Sequence, residues 1–273
     1  MTHVETSVED GIATLSLSNP GRKNALSPIM RMELDQTLDR LGQDPQVRAL
    51  MLVGAGTDFC SGGDISAMSS MADSDAERFR ARMLDQHRTY RKLLEFDRPV
   101  IAAVDGVAFG AGFSLAMAAD LVIASTRARF CLSFAKVGLV PDLGILYTLP
   151  RLIGMARARE LIYSARELDA AQARDLGLVL EVTGAQDLMS RATQYARSMA
   201  GTSPVAFSLT KMLLARSYEM DLGTLLHAEA SAQGIAFTSA HAQEAIGRFM
   251  RREPGQFQWP DSAPPDGDAT SAN

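Results

Sequence analysis

Apolar and polar residues alternate from Val4 to Val8 and again from Ile12 to Leu17, with Asp10-Gly11 between the two runs. Alternation at period two marks strands with one covered face, and an Asp-Gly pair supplies the backbone of a tight hairpin turn. The period changes at Ser27-Pro28, where a capping serine and a proline at the first helical position open a helix. Ile29, Met32, Leu34, Leu38 and Leu41 keep roughly helical spacing along it and form its predicted buried face. Val47 to Val53 reads as a short apolar strand closed by Gly54-Ala55-Gly56. A polar helix from about Ser74 to Glu95 leads into Pro99 to Val104, a run apolar enough for a strand covered on both faces. Leu121 to Ala124 and Ala128 to Cys131 read as two more short strands. Beyond residue 150 the pattern is helical, and Gly201-Thr202-Ser203-Pro204 starts a late helix. From Leu209 to Phe249 apolar residues fall on more than one helical face, which implies burial against something. Strands with βα alternation first, and helices afterwards, predict an α/β core over residues 1–200 with a helical region over 201–258. The end, from 259 to 273, is polar and rich in Pro and Gly, the composition of an unstructured tail.

Charge and cysteine content narrow the function classes. A formal net charge of -5 offers no basic surface for nucleic acid. Cys60 and Cys131 fit neither a metal site nor a disulfide framework, and a reducing cytoplasm is their simplest setting. The N-terminus lacks the basic-then-apolar order of a signal peptide, and no apolar run is long enough for a membrane span. The expectation is a cytoplasmic protein with no metal, nucleic-acid or membrane partner.

Three short segments carry candidate chemistry. Asp142 follows Pro141 within the apolar stretch Val137-Gly138-Leu139-Val140. An acid in apolar surroundings has a raised pKa and can shuttle a proton near neutrality, although an aspartate there could equally cap the following helix. Ser61-Gly62-Gly63-Asp64 and Gly110-Ala111-Gly112 are tight small-residue segments, each following a strand. Two such loops can aim backbone N–H groups at one developing oxyanion, and the second opens a helix whose first N–H groups are free.

Arg22-Lys23-Asn24-Ala25-Leu26, Phe59-Cys60-Ser61-Gly62-Gly63-Asp64, Val104-Asp105-Gly106 through Gly112, and Ala128-Arg129-Phe130 resemble the crotonase (enoyl-CoA hydratase/isomerase) superfamily. Glu167-Leu168-Asp169-Ala170-Ala171-Gln172-Ala173 resembles it too, and the likeness runs from about residue 4 to residue 257. The resemblance implies a spiral of ββα units, a C-terminal helical trimerisation region giving a homotrimer or dimer of trimers, and an acyl-CoA thioester substrate. Coenzyme A then arrives as part of the substrate, with no separate cofactor. It also implies an oxyanion hole from the N–H groups of Ser61 and Ala111, with Lys23 and Ala25 beside the CoA nucleotide. Gly62, Gly63, Asp64 and Ile65 would line the adenine and thioester region, with Gly110, Ser114 and Phe134 further along the acyl site.

Hydratases of this superfamily hold one water between two glutamates, and the matching positions here are Ser114 and Phe134. A hydroxyl and a phenyl ring cannot share acid and base roles on a water, so weak hydration at most is expected. The context of Asp142 resembles the 1,2-epoxyphenylacetyl-CoA isomerase and enoyl-CoA isomerase subgroup, which implies an isomerase with Asp142 as general acid/base. Gly144-Ile145 stands where that subgroup often has two glycines, a difference that bears on the acyl pocket. Arylacyl-CoA dehalogenases also resemble the chain at Asp142, where the aspartate is a nucleophile; His87 falls about where their water-activating histidine lies. A solvated helix residue is the plainer reading of His87. A non-catalytic acyl-CoA binder is the alternative from another class.

Overall fold

Asp10 and Gly11 take positive φ (51° and 77°), closing the antiparallel hairpin of β1 (His3–Glu9) and β2 (Ile12–Ser18). The computed structural model describes residues 3–69 and 75–261. From β2 onward the sheet is parallel, through β3 (Ala49–Gly54), β4 (Val100–Val104), β6 (Leu121–Ser125) and β9 (Glu181–Thr183), in the order β1-β2-β3-β4-β6-β9. A second, smaller sheet joins β5 (Val107–Phe109), β7 (Arg129–Cys131) and β8 (Glu167–Asp169).

The large sheet is covered on both faces, which explains why its central strands are apolar at consecutive positions. Leu50 and Leu52 point into a core shared with Leu15, Leu17, Met30 and Leu34. Met51 and Val53 point the other way, onto Leu188, Ala192 and Tyr195 of α7 (Leu188–Ala200). Ser27 caps α1 (Pro28–Gln43), its hydroxyl accepting the Met30 N–H at 3.1 Å. The buried stripe of α1 runs through Met30, Leu34, Thr37, Leu38 and Leu41. Ile29 and Met32, expected on that face, are each 55% exposed, because a stripe through 30, 34, 38 and 41 turns them outward.

The remaining helices are α2 (Ile65–Ser69), α3 (Ala76–Leu94), α4 (Ala111–Ala116), α5 (Ile145–Ser164), α6 (Ala170–Asp175), α8 (Pro204–Arg216), α9 (Leu222–Phe237) and α10 (Ala240–Arg251). The polar helix expected from Ser74 is α3, capped by Asp75; Ser74 itself lies outside the described residues. Two differences concern the second half. The stretch past residue 150 contains β8 and β9, three-residue strands that exist through pairing with β7 and β6 rather than through any period of their own. Residues 259–261, assigned by composition to the tail, are held: Trp259 packs edge-on against Tyr195 with ring centroids 5.3 Å apart. Residues 262–273 lie outside the described residues. None of α8, α9 and α10 buries a residue within the single chain.

Candidate active site

The site is assembled by a short parallel pairing between two loops. Cys60 bridges Ala108 in parallel, its N–H donating to Val107 O at 2.8 Å and its carbonyl accepting from Phe109 N at 2.9 Å. Three residues beyond Cys60 is Gly63, and three residues beyond Ala108 is Ala111, so the register delivers both to the same end of the small sheet. The approach is too close for side chains. A Cβ on Gly112 would sit 2.1 Å from the Cys60 carbonyl oxygen, and one on Gly62 (φ 101°) would sit 2.8 Å from Phe109 O. The Cys60 thiol is sealed beneath this contact, and burial pushes its pKa up to about 12. It is no nucleophile.

The backbone donors differ in part from expectation. Ala111 opens α4, and its N–H has no acceptor among the described residues. The Ser61 N–H is already committed, donating to Lys23 O at 2.9 Å. A second pairing decides which neighbour is free. Leu26 bridges Gly63 in parallel, with Leu26 N donating to Gly62 O and Asp64 N donating to Leu26 O. Strand alternation therefore turns the Gly63 N–H away from Leu26, and it too has no acceptor among the described residues. Gly63 and Ala111, rather than Ser61 and Ala111, present unpaired N–H groups.

Both residues border a cavity of about 590 Å³, together with Ser61, Gly62, Ile65, Gly110 and Phe134. One wall is a stripe of α3: Phe79, Arg82, Met83, Gln86 and His87, at i, i+3, i+4, i+7 and i+8. The opposite wall is Val137 to Asp142 with Leu146, and Arg31 reaches in from α1. Asp142 is the sole carboxylate on the wall among the described residues. Its Oδ1 is buried with no hydrogen-bond partner, and no capping bond reaches α5, whose N-cap is Gly144. Burial raises the Asp142 pKa above the ordinary carboxylate value, partly offset by the charges of Arg31 and His87.

Several expected site residues have other places. Ser114 is fully buried behind the cavity, its hydroxyl donating to the main-chain carbonyl of Asp142 at 3.1 Å. Asp64 accepts from Arg22 Nη1 at 2.8 Å and from Ser66 N at 3.0 Å, so it fastens the start of α2 and does not line the cavity. Lys23 and Ala25 are also off the cavity wall; Lys23 sits at its rim through the bond to Ser61, with Nζ 3.9 Å from Asp58. Ile145, the departure from a glycine pair, turns fully into the core, and the wall residue is Leu146. His87 is exposed on α3, as a solvated helix residue would be, and it also borders the cavity. Arg31, Phe79, Arg82, Met83 and Gln86 escaped the sequence reading, although the helical spacing of the last four was a usable signal.

Residues 7–262 match the family model described as enoyl-CoA hydratase/isomerase. The chain belongs to the enoyl-CoA hydratase/isomerase family. It is 34% identical over 264 residues to the 1,2-epoxyphenylacetyl-CoA isomerase of Escherichia coli K12, covering 94% of this chain and 98% of that one. It is 33% identical over 245 residues to a short-chain-enoyl-CoA hydratase of Clostridium acetobutylicum, covering 89% and 93%. The crystal structure of an enoyl-CoA hydratase/isomerase from Cupriavidus metallidurans CH34 superposes with a TM-score of 0.90 at 36% identity, over 97% of this chain and 98% of that one. The fold is therefore the crotonase fold, and this enoyl-CoA hydratase/isomerase family member is an acyl-CoA enzyme.

Proposed function

We propose that the protein is an acyl-CoA isomerase in which Asp142 moves a proton and Gly63 and Ala111 hold the thioester oxygen. The observation that carries this reading is Asp142 itself, a lone cavity carboxylate with an unpartnered, buried Oδ1. Activating a water by the two-glutamate route needs a second carboxylate, and Ser114 and Phe134 supply none. Moving a proton needs one base. With the thioester oxygen between the two N–H groups, ionised Asp142 removes a carbon-bound proton and the C–H electron pair moves towards the thioester. The oxygen gains negative charge where two preorganised donors face it. Protonated Asp142 then returns the proton to a different carbon, and the double bond or ring oxygen shifts with no net gain or loss of atoms. Desolvation makes the carboxylate a stronger base than an exposed one.

CoA is held as part of the substrate, its nucleotide at the rim marked by Lys23 and Ala25. The chain works as a trimer or dimer of trimers through α8 to α10. The test is a panel of linear β,γ-enoyl-CoA and aromatic acyl-CoA thioesters, read by the absorbance of the conjugated thioester and by deuterium uptake from solvent. Absence of both signals across the panel overturns the reading.

His87 supports a second one. It borders the same cavity as Asp142 and its charge bears on the Asp142 carboxyl, as a water-activating histidine beside a nucleophilic aspartate would. A covalent aryl adduct on Asp142, found by mass spectrometry after incubation with a halogenated arylacyl-CoA, would decide for it.

A further inference from the structure

Arg31 stands on the cavity wall without a partner. It makes no side-chain hydrogen bond and no ion pair among the described residues, although it is half-buried. A guanidinium carries a fork of N–H donors and loses hydration when enclosed, so an enclosed arginine ordinarily sits against a carboxylate or carbonyl. The Arg31 group feels the opposite charge of Asp142 but forms no ion pair with it, although both border the cavity. Arg82, a second guanidinium on the same wall, adds like-charge crowding, and burial with that neighbour lowers the Arg31 pKa. The same cavity is also lined by apolar Phe79, Met83, Val140 and Leu146. The arrangement suits a chain of methylenes ending in an anion.

We propose that Arg31 receives a carboxylate at the far end of the acyl group, so that the preferred substrates are CoA thioesters of dicarboxylic acids; this rests on the reading of the cavity as an acyl-CoA site. A planar carboxylate matches the guanidinium fork in two parallel bonds, which a methyl terminus cannot form. The terminus would sit at Arg31 and the thioester at Gly63 and Ala111, with the carbons between them passing Asp142.

The test compares saturated thioesters, which bind without turning over: hexanoyl-CoA against adipoyl-CoA, and shorter and longer pairs of matched length, by calorimetry on the full chain. Wild-type protein is expected to bind the dicarboxylyl member of the best pair about 10- to 100-fold more tightly, the range of a charge-assisted hydrogen bond. In Arg31→Leu that preference falls to within about threefold, while Arg31→Lys keeps part of it through charge without the fork. Equal affinity of wild-type protein for both members of every pair overturns the proposal, and this comparison needs no variant to fold. Equal weakening of both members in Arg31→Leu also overturns it and assigns Arg31 to the CoA moiety. If neither class of thioester binds, the acyl-CoA reading of the cavity fails along with it.

Discussion

The Ser114 hydroxyl donates to the main-chain carbonyl of Asp142 at 3.1 Å, while Oδ1 of the same aspartate has no hydrogen-bond partner. The main chain of Asp142, the proposed base, is thus tied to α4, while the residue borders the cavity. Ser114 lies on α4, the helix that Ala111 opens, so one short element links a backbone donor to the position of the base.

Ser114→Ala should expose this link. The Asp142 carbonyl loses one of its two donors and keeps the Ile145 N–H at 3.3 Å, and the expected stability loss is about 0.5–1.5 kcal/mol, measured by urea unfolding. Turnover should fall with the displaced base, and acyl-CoA affinity should stay near wild type.

Asp142→Asn keeps size and removes the base, and turnover should drop ~10²–10⁴-fold with little change in thioester affinity. Proton abstraction needs the ionised form, and burial raises the Asp142 pKa. Activity should therefore disappear as pH falls through that raised value, above the ordinary carboxylate range near ~3.9. A pH profile of kcat/KM checks this: a wild-type acid limb no higher than that range contradicts the assignment.

The same shift has a stability consequence of opposite sense. A folded-state pKa above the unfolded one means that the folded protein holds its proton longer, so stability falls as pH rises between the two. Asp142→Asn removes that loss, and its melting temperature should match or exceed wild type at neutral pH. The difference should shrink below about pH 4, where the carboxylate is protonated in both states. A variant that melts lower at neutral pH would count against a burdened Asp142.

The hairpin and the start of α1 were legible because each is local. Asp10-Gly11 sets a turn, Ser27-Pro28 sets a helix entry, and Asp142 stands out against an apolar run. Which N–H of residues 61–64 is left unpaired is set by pairing with Lys23 and Leu26, contacts that no pattern within those residues encodes. Arg31 was hidden for a related reason: it lies one residue beyond the buried Met30, and only the fold shows that this edge of α1 faces a cavity. β8 and β9 are three residues each, too short for a period to register.

Gly62→Ala tests the approach of the two loops. Its positive φ and the 2.8 Å contact of a new Cβ with Phe109 O should together cost about 1–3 kcal/mol or more. Thioester binding and turnover should fall together, because both donors shift. Unchanged melting temperature and activity would show that the loops are less tightly apposed.

α8 to α10 leave Leu214, Leu226, Ile235, Phe237, Phe249 and Met250 exposed in the single chain, with Phe249 at 81%. Apolar surface on this scale is expected to be covered by other copies. Sedimentation should give three or six times the 29.4 kDa chain mass, and a monomer at micromolar concentration would refute it.

The stripe of α3 has a consequence for how such a protein changes. Tyr90, near the end of the same helix, packs so tightly under Gly144 that a Cβ there would lie 2.4 Å from its ring. One end of α3 thus braces the loop that carries the base, while Phe79, Arg82, Met83 and Gln86 shape the space ahead of it. The locked glycine contacts sit on other segments. Substitutions at Phe79, Met83 or Gln86 would therefore reshape the cavity from one helical face while leaving the Gly62–Phe109 and Gly112–Cys60 contacts as they are.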